Sequence, residues 1–118
     1  PPVWMIGRKT LEDDLVGDYH VKKGTNVLMP AYYVHRDPQF WEDPDSFKPE
    51  RFEADQVKKR HKYAYFPFGG GPRLCIGNNF ALMEMQLTLA MMISKFKIKL
   101  SEGFEPEIVP LITLRTKE

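Results

Sequence analysis

The segment Phe68-Gly69-Gly70-Gly71-Pro72-Arg73-Leu74-Cys75-Ile76-Gly77 constrains this chain most, because it holds the only cysteine in 118 residues. An aromatic, a run of glycines, a cation and a thiol stand together there, and the segment opens directly into an apolar, helix-patterned stretch. One sulfur can build neither a disulfide nor a closed structural metal site. The glycines do not make a phosphate loop, since no Gly-Lys-Ser/Thr ending follows and the spacing is not G-x-G-x-x-G. A redox pair or an iron–sulfur cluster would need further cysteines.

A thiol becomes a useful ligand as thiolate, which a helix N-terminus and nearby cations favour. Cys75 lies where the following helix is expected to begin, so free backbone amides should point toward its sulfur, and Arg73 adds positive charge close by. Gly69, Gly70, Gly71 and Gly77 let backbone approach a flat surface. Pro72 stiffens the turn, and Phe68 is placed to pack against the sulfur and exclude water. The arrangement suits a thiolate aimed at a flat, anionic, iron-bearing cofactor. The plain alternative is an inert buried thiol in a glycine turn.

The remaining composition narrows the class of protein. With 42% hydrophobic, 13% aromatic and 28% charged residues, the chain is that of a folded protein rather than a disordered one. A net charge of +1 gives no general attraction to nucleic acid or to a membrane surface. The longest apolar run, Phe80 to Ile93, is too short to span a bilayer and carries Glu84 and Gln86. The single thiol fits a reducing compartment, and a cytoplasmic location is expected.

Along the chain, residues 3–8 form an extended apolar run after two prolines. Leu15 to Val21 reads as a hairpin turning at Gly17-Asp18. Asn26 to Met29 reads as a buried strand ended by Pro30, and Ala31 to Val34 as a short helical turn. Asp37 to Phe52 interleaves Pro38, Pro44 and Pro49 with Phe40, Trp41, Phe47 and Phe52, which predicts an ordered, packed loop. Ala54 to Lys62 is polar, basic and exposed. A helix is predicted from Ile76–Asn78 to about Lys95, apolar around nearly its whole circumference and therefore buried on more than one side. Phe96 to Leu100 and Leu111 to Arg115 alternate as strands do. The sum is an α+β segment with short strands around one long buried helix.

Phe68-x-x-Gly71-x-Arg73-x-Cys75-x-Gly77 resembles the haem-binding signature of the cytochrome P450 family at every defining position. Pro49-Glu50-Arg51-Phe52 resembles that family's meander motif, and His35-Arg36-Asp37-Pro38 with Trp41 and Phe47 resembles its lead-in. Ala81 and Glu84 also match. The resemblance implies an α+β segment of a mainly-α fold, covering residues 1–118 as a C-terminal haem-ligating part. Short strands would occupy 1–30, a short helix and the meander 31–62, the cysteine loop 63–77, the long helix 77–95 and terminal strands 96–118. It also implies that the chain begins just past a Glu-x-x-Arg helix, and that an upstream helix carries an acid–alcohol pair.

On the same resemblance, Cys75 is the metal ligand and catalytic residue, a proximal thiolate on haem b that favours O–O cleavage and oxygen insertion into C–H bonds. Arg73 and Arg8 would pair with haem propionates, and Phe68, Gly69, Gly71, Ile76, Gly77 and Ala81 would touch the cofactor. Val3, Trp4, Met5, Ile6, Leu111 and Ile112 match segments that contact a lipophilic substrate. Arg51 would join a Glu-Arg-Arg salt-bridge triad with the upstream helix. Lys58, Lys59, Arg60 and Lys62 form a cationic patch, read either as the proximal docking site for an acidic electron donor or as a solvated loop. The alternatives to a monooxygenase are a truncated, non-catalytic haem-binding or interaction remnant and a peroxide-using variant.

Among the histidines, His35 is expected to hydrogen-bond within the packed loop, the alternative being a propionate or haem-proximal role, while His20 and His61 are expected at the surface.

Overall fold

The computed structural model describes residues 1–117. The first strands are β1 (Ile6–Lys9), β2 (Asp14–Val16), β3 (Tyr19–Val21) and β4 (Asn26–Met29). β1 pairs antiparallel with β4, Arg8 opposite Val27, and β2 with β3, Leu15 opposite His20. The β2–β3 hairpin turns at the predicted place, through Gly17 at φ 58°. β4 ends at Pro30 as predicted but is only half-buried, with Val27 and Met29 covered more than Asn26 and Leu28. A strand with a single hydrogen-bonded neighbour keeps one edge unpaired.

After Pro30, the single-turn helix α1 (Ala31–Val34) is tied to the N-terminal segment by the Tyr32 N–H, which donates to the Trp4 carbonyl at 3.0 Å. The proline-rich stretch that follows contains no regular element until a 3-10 turn at Pro49–Phe52. It is ordered around Trp41, which is 5% exposed and donates its indole N–H to the Ala64 carbonyl at 3.2 Å. Ala31, Trp41 and Ala64 are the buried hydrophobic residues among those described. Phe52 and Tyr65 close on Trp41 with ring centroids 6.1 and 6.0 Å away, and on each other at 5.0 Å. Phe47 was expected inside this cluster and instead stands 94% exposed.

A helix then forms where only a polar, exposed stretch is predicted. This α2 (Ala54–Lys59) has Asp55 in its first turn and Lys58 and Lys59 in its last. Both ends complement the helix dipole, a signal that the absence of apolar periodicity hides.

The long helix α3 (Asn78–Lys95) has the predicted limits but not the predicted burial, since none of its 18 residues is buried. Its apolar circumference asks for neighbours, and no described strand or helix covers it. The expected strand Phe96–Leu100 does not form. Phe96 closes α3 by donating its N–H to the Met92 carbonyl, and the residues after it have no strand partner. The terminal ribbon is β5 (Ile108–Pro110) paired with β6 (Leu114–Thr116). The alternation predicted from Leu111 becomes strand only at Leu114, because residues 111–113 make the turn between the two. No helix among the described residues is long and apolar enough to cross a membrane.

Candidate functional site

The cysteine loop is built by backbone hydrogen bonds at its neck and by glycine conformations along its length. The Cys75 N–H donates to the Phe68 carbonyl at 3.0 Å, closing the loop. Inside it, Gly69 donates to the Phe66 carbonyl at 3.0 Å and Leu74 to the Gly71 carbonyl at 3.1 Å. Gly69 and Gly71 sit at φ 78° and 66°, a region that side chains disfavour.

A Cβ at Gly71 would meet nothing within 4 Å, so there the cost of a side chain is conformational alone. Gly71→Ala is expected to destabilise the folded loop by about 1–2 kcal/mol in urea unfolding. Gly70 differs, being extended at φ −168°, yet a Cβ there would lie 2.9 Å from the Tyr63 ring. Gly70→Ala should therefore displace that ring, visible as a changed near-UV tyrosine signal.

Cys75 is free and exposed. It stands just before α3 as predicted, and the Cβ position of Gly77 is 3.9 Å from its sulfur. The helix-start amides are only partly available. Asn78 donates back to the Cys75 carbonyl at 3.4 Å and Asn79 to the Asn78 side chain at 2.7 Å, whereas Ile76 and Gly77 donate to no described group. Ala81 takes the first helical bond, donating to the Gly77 carbonyl at 2.9 Å.

Arg73 is exposed, and neither it nor Arg8 pairs with a carboxylate among the described residues. Arg8 donates only to the Gly7 carbonyl, at 2.8 Å. With Ile6, Leu28, Phe66, Gly70 and Gly71, Arg8 lines a mostly apolar cavity of about 660 Å³. The fold thus brings Arg8, Ile6 and Gly71 to one space, while Cys75 and Arg73 stand outside its lining. A free thiol, two unpaired guanidiniums and open space at Gly71 fit an anionic, planar iron cofactor with two carboxylate arms.

The residues matched to substrate contact also gather. The Trp4 indole N–H donates to the Leu111 carbonyl at 2.8 Å, and Leu114 donates to the Pro2 carbonyl at 2.7 Å. These two bonds dock the segment containing Val3, Trp4 and Met5 on the β5–β6 turn, where Leu111 and Ile112 are exposed. Nothing in the spacing of the sequence announces that junction.

Arg51 works on main chain. Its guanidinium donates to the carbonyls of Glu42, Asp43 and Ser46, and no described carboxylate pairs with it. It thereby satisfies an irregular loop that has no ladder of its own. Asp43, at φ 49°, binds Lys48 at 3.0 Å. The hydrogen bonds from Ser46 and then Lys48 hold its carboxyl below the usual range.

The cationic patch needs one correction. Arg60 is not a free surface cation: its guanidinium lies 4.1 Å over the Trp41 ring and 5.1 Å over Phe52, and donates to the Arg51 carbonyl. Planar and weakly hydrated, a guanidinium stacks where an ammonium would stay in water. Lys58, Lys59 and Lys62 remain exposed, Lys58 with Asp55 at 3.7 Å.

His20 and His61 are exposed as expected, and His61 accepts the Tyr63 N–H at 3.2 Å. His35 is hydrogen-bonded within the loop region, accepting the Phe66 N–H at 2.9 Å.

A family model described as cytochrome P450 matches residues 1–117. Over 116 residues the chain is 46% identical to cytochrome P450 4d2 of Drosophila melanogaster, a match covering 98% of this chain and 23% of that protein. It is 43% identical over 105 residues to cytochrome P450 4V2 of Mus musculus, covering 89% and 20% respectively. A crystal structure of the cytochrome P450DA heme domain superposes with a TM-score of 0.91 at 30% identity, covering 98% of this chain and 26% of that one. The chain spans about a quarter of the length of the curated relatives it matches.

Proposed function

The chain belongs to the cytochrome P450 family, and on that premise we propose that it is the haem-ligating segment of a haem-thiolate monooxygenase. The observation that carries the proposal is Cys75, the chain's sole thiol, free and exposed on a loop fixed at its neck and joined to the start of a helix. In this reading Cys75 holds the iron of haem b as thiolate, with the Ile76 and Gly77 amides available to stabilise its charge. Arg8 and Arg73 hold the propionates, since each lacks a carboxylate of its own among the described residues. Phe68, Gly69, Gly71, Ile76, Gly77 and Ala81 form the surround, their small or apolar side chains letting the macrocycle approach. When bound, haem supplies oxygen activation for insertion into a lipophilic substrate.

The segment of Val3, Trp4, Met5 and Ile6, with Leu111 and Ile112, borders the substrate, and Arg51 takes its carboxylate partner from an upstream helix. The exposed circumference of α3 agrees with a chain that is the C-terminal part of a longer protein, whose other elements cover it. A reducing, cytoplasmic compartment suits a lone free thiol.

The test is the reduced, carbon-monoxide-bound spectrum of the full-length protein. A Soret band at the thiolate position is expected, and haem binding without that band would overturn the assignment.

The face carrying Lys58, Lys59 and Lys62 receives an acidic electron donor. Reversing all three lysines to glutamate is expected to slow reduction by an acidic ferredoxin or flavodoxin-type donor at least about tenfold at low salt. Added salt should erase the difference. A reduction rate indifferent to both charge reversal and salt would rule out docking there.

A further inference from the structure

We propose that His35 is a positioning residue for the cysteine ligand: its neutral imidazole accepts the Phe66 amide hydrogen and fixes the peptide from which the Cys75 loop hangs. The inference rests on the haem-thiolate reading and adds to it a residue that never touches the cofactor. Three bonds carry it. Phe66 donates to His35 Nε2 at 2.9 Å, the Phe66 carbonyl accepts Gly69 N–H at 3.0 Å, and the Phe68 carbonyl accepts Cys75 N–H at 3.0 Å. The Phe66 residue is thus gripped through both its amide and its carbonyl. A shift there moves Phe68, and with it the carbonyl that holds the cysteine amide.

The imidazole is itself immobilised, tilted on Tyr65 at 4.9 Å and edge-on to Phe66 at 5.0 Å. His35 belongs to the residues just after α1 and Phe66 to the entry of the loop, so the bond joins segments 31 residues apart in sequence. An imidazole nitrogen that accepts a hydrogen bond must be unprotonated, and so the proton of neutral His35 sits on Nδ1. The titratable and charged groups facing it are the Tyr65 phenol and Arg36. Desolvation first, and then the positive charge of Arg36, lower its pKa. A released His35 takes up a proton as the pH falls through its ordinary 6.5, while the packed one refuses it until lower pH. The clamp is therefore complete above pH 6.5 and is progressively lost below it.

Two variants of the full-length protein separate acceptor from shape. His35→Phe keeps a planar ring and removes the acceptor; His35→Gln keeps an acceptor that cannot be protonated. His35→Phe is expected to lower the thiolate-ligated fraction at neutral pH by at least about half, and to speed Phe66 amide exchange about tenfold or more. His35→Gln should hold that fraction at neutral pH and carry its acid-induced loss about half a pH unit or more lower. Unchanged ligation and exchange in His35→Phe would overturn the proposal. So would a His35→Gln acid profile superimposable on the parent's. Amide exchange is read on the haem-free protein as well, so failure of the haem reading alone leaves that measurement able to judge the clamp.

Discussion

Replacing Cys75 with serine is expected to remove the thiolate Soret band of the reduced, carbon-monoxide-bound protein completely and to cut oxygen insertion more than about 100-fold. Changes that merely support a metal ligand commonly cost 10–100-fold, and this one removes the ligand itself. Serine fills nearly the same volume but its hydroxyl stays protonated at neutral pH, so it offers no anionic, electron-donating sulfur. No other thiol in these 118 residues can substitute. The loop should survive the change, because its neck bond runs from the Cys75 main-chain N–H to the Phe68 carbonyl and does not involve the sulfur. Circular dichroism of the variant should accordingly match the parent. A thiolate band persisting in Cys75→Ser would place the ligand elsewhere and sink the functional assignment.

The largest effect on stability is expected from Trp41→Ala. Trp41 is 5% exposed and stands where three segments meet: the proline-rich loop, the residues around Ala64 and the Arg60 side chain. Truncating a buried tryptophan costs about 3–5 kcal/mol through lost transfer free energy and the cavity left behind. The change also strips the Ala64 carbonyl of its donor and leaves Arg60 over an empty site. Urea unfolding of the full-length protein should show an unfolding free energy lowered by that amount, with the midpoint falling in proportion. A double-mutant cycle with Arg60→Ala should give a coupling of about 0.5–2 kcal/mol. A cost below about 1 kcal/mol for Trp41→Ala would mean that the aromatic cluster does not anchor the meander.

Local chemistry was legible in the sequence wherever a few neighbouring residues decide it. The Gly17 turn, the stop at Pro30 and the limits of α3 follow from backbone preference and periodicity. The cysteine loop follows from its own composition. Partnerships across the chain were not legible. That Arg60 stacks on Trp41, that Trp4 binds Leu111, and that Arg51 gathers three carbonyls each depend on distant backbone meeting one side chain. A cation in a basic run looks the same in sequence whether it ends in solvent or on an indole. Phe96 to Leu100 misleads for the same reason: alternation is a capacity for pairing, realised only where a second strand lies alongside.

The bare circumference of α3 also bears on the cysteine loop. An isolated helix of 18 residues is marginal in water, and most helix stability comes from tertiary packing. The amides flanking the thiol at Ile76 and Gly77 are held in place by this same helix start. On the haem-thiolate reading, the grip on iron is therefore tied to the cover of α3: a change that strips packing from this helix, far from the sulfur, is expected to weaken the ligand's anionic form as well.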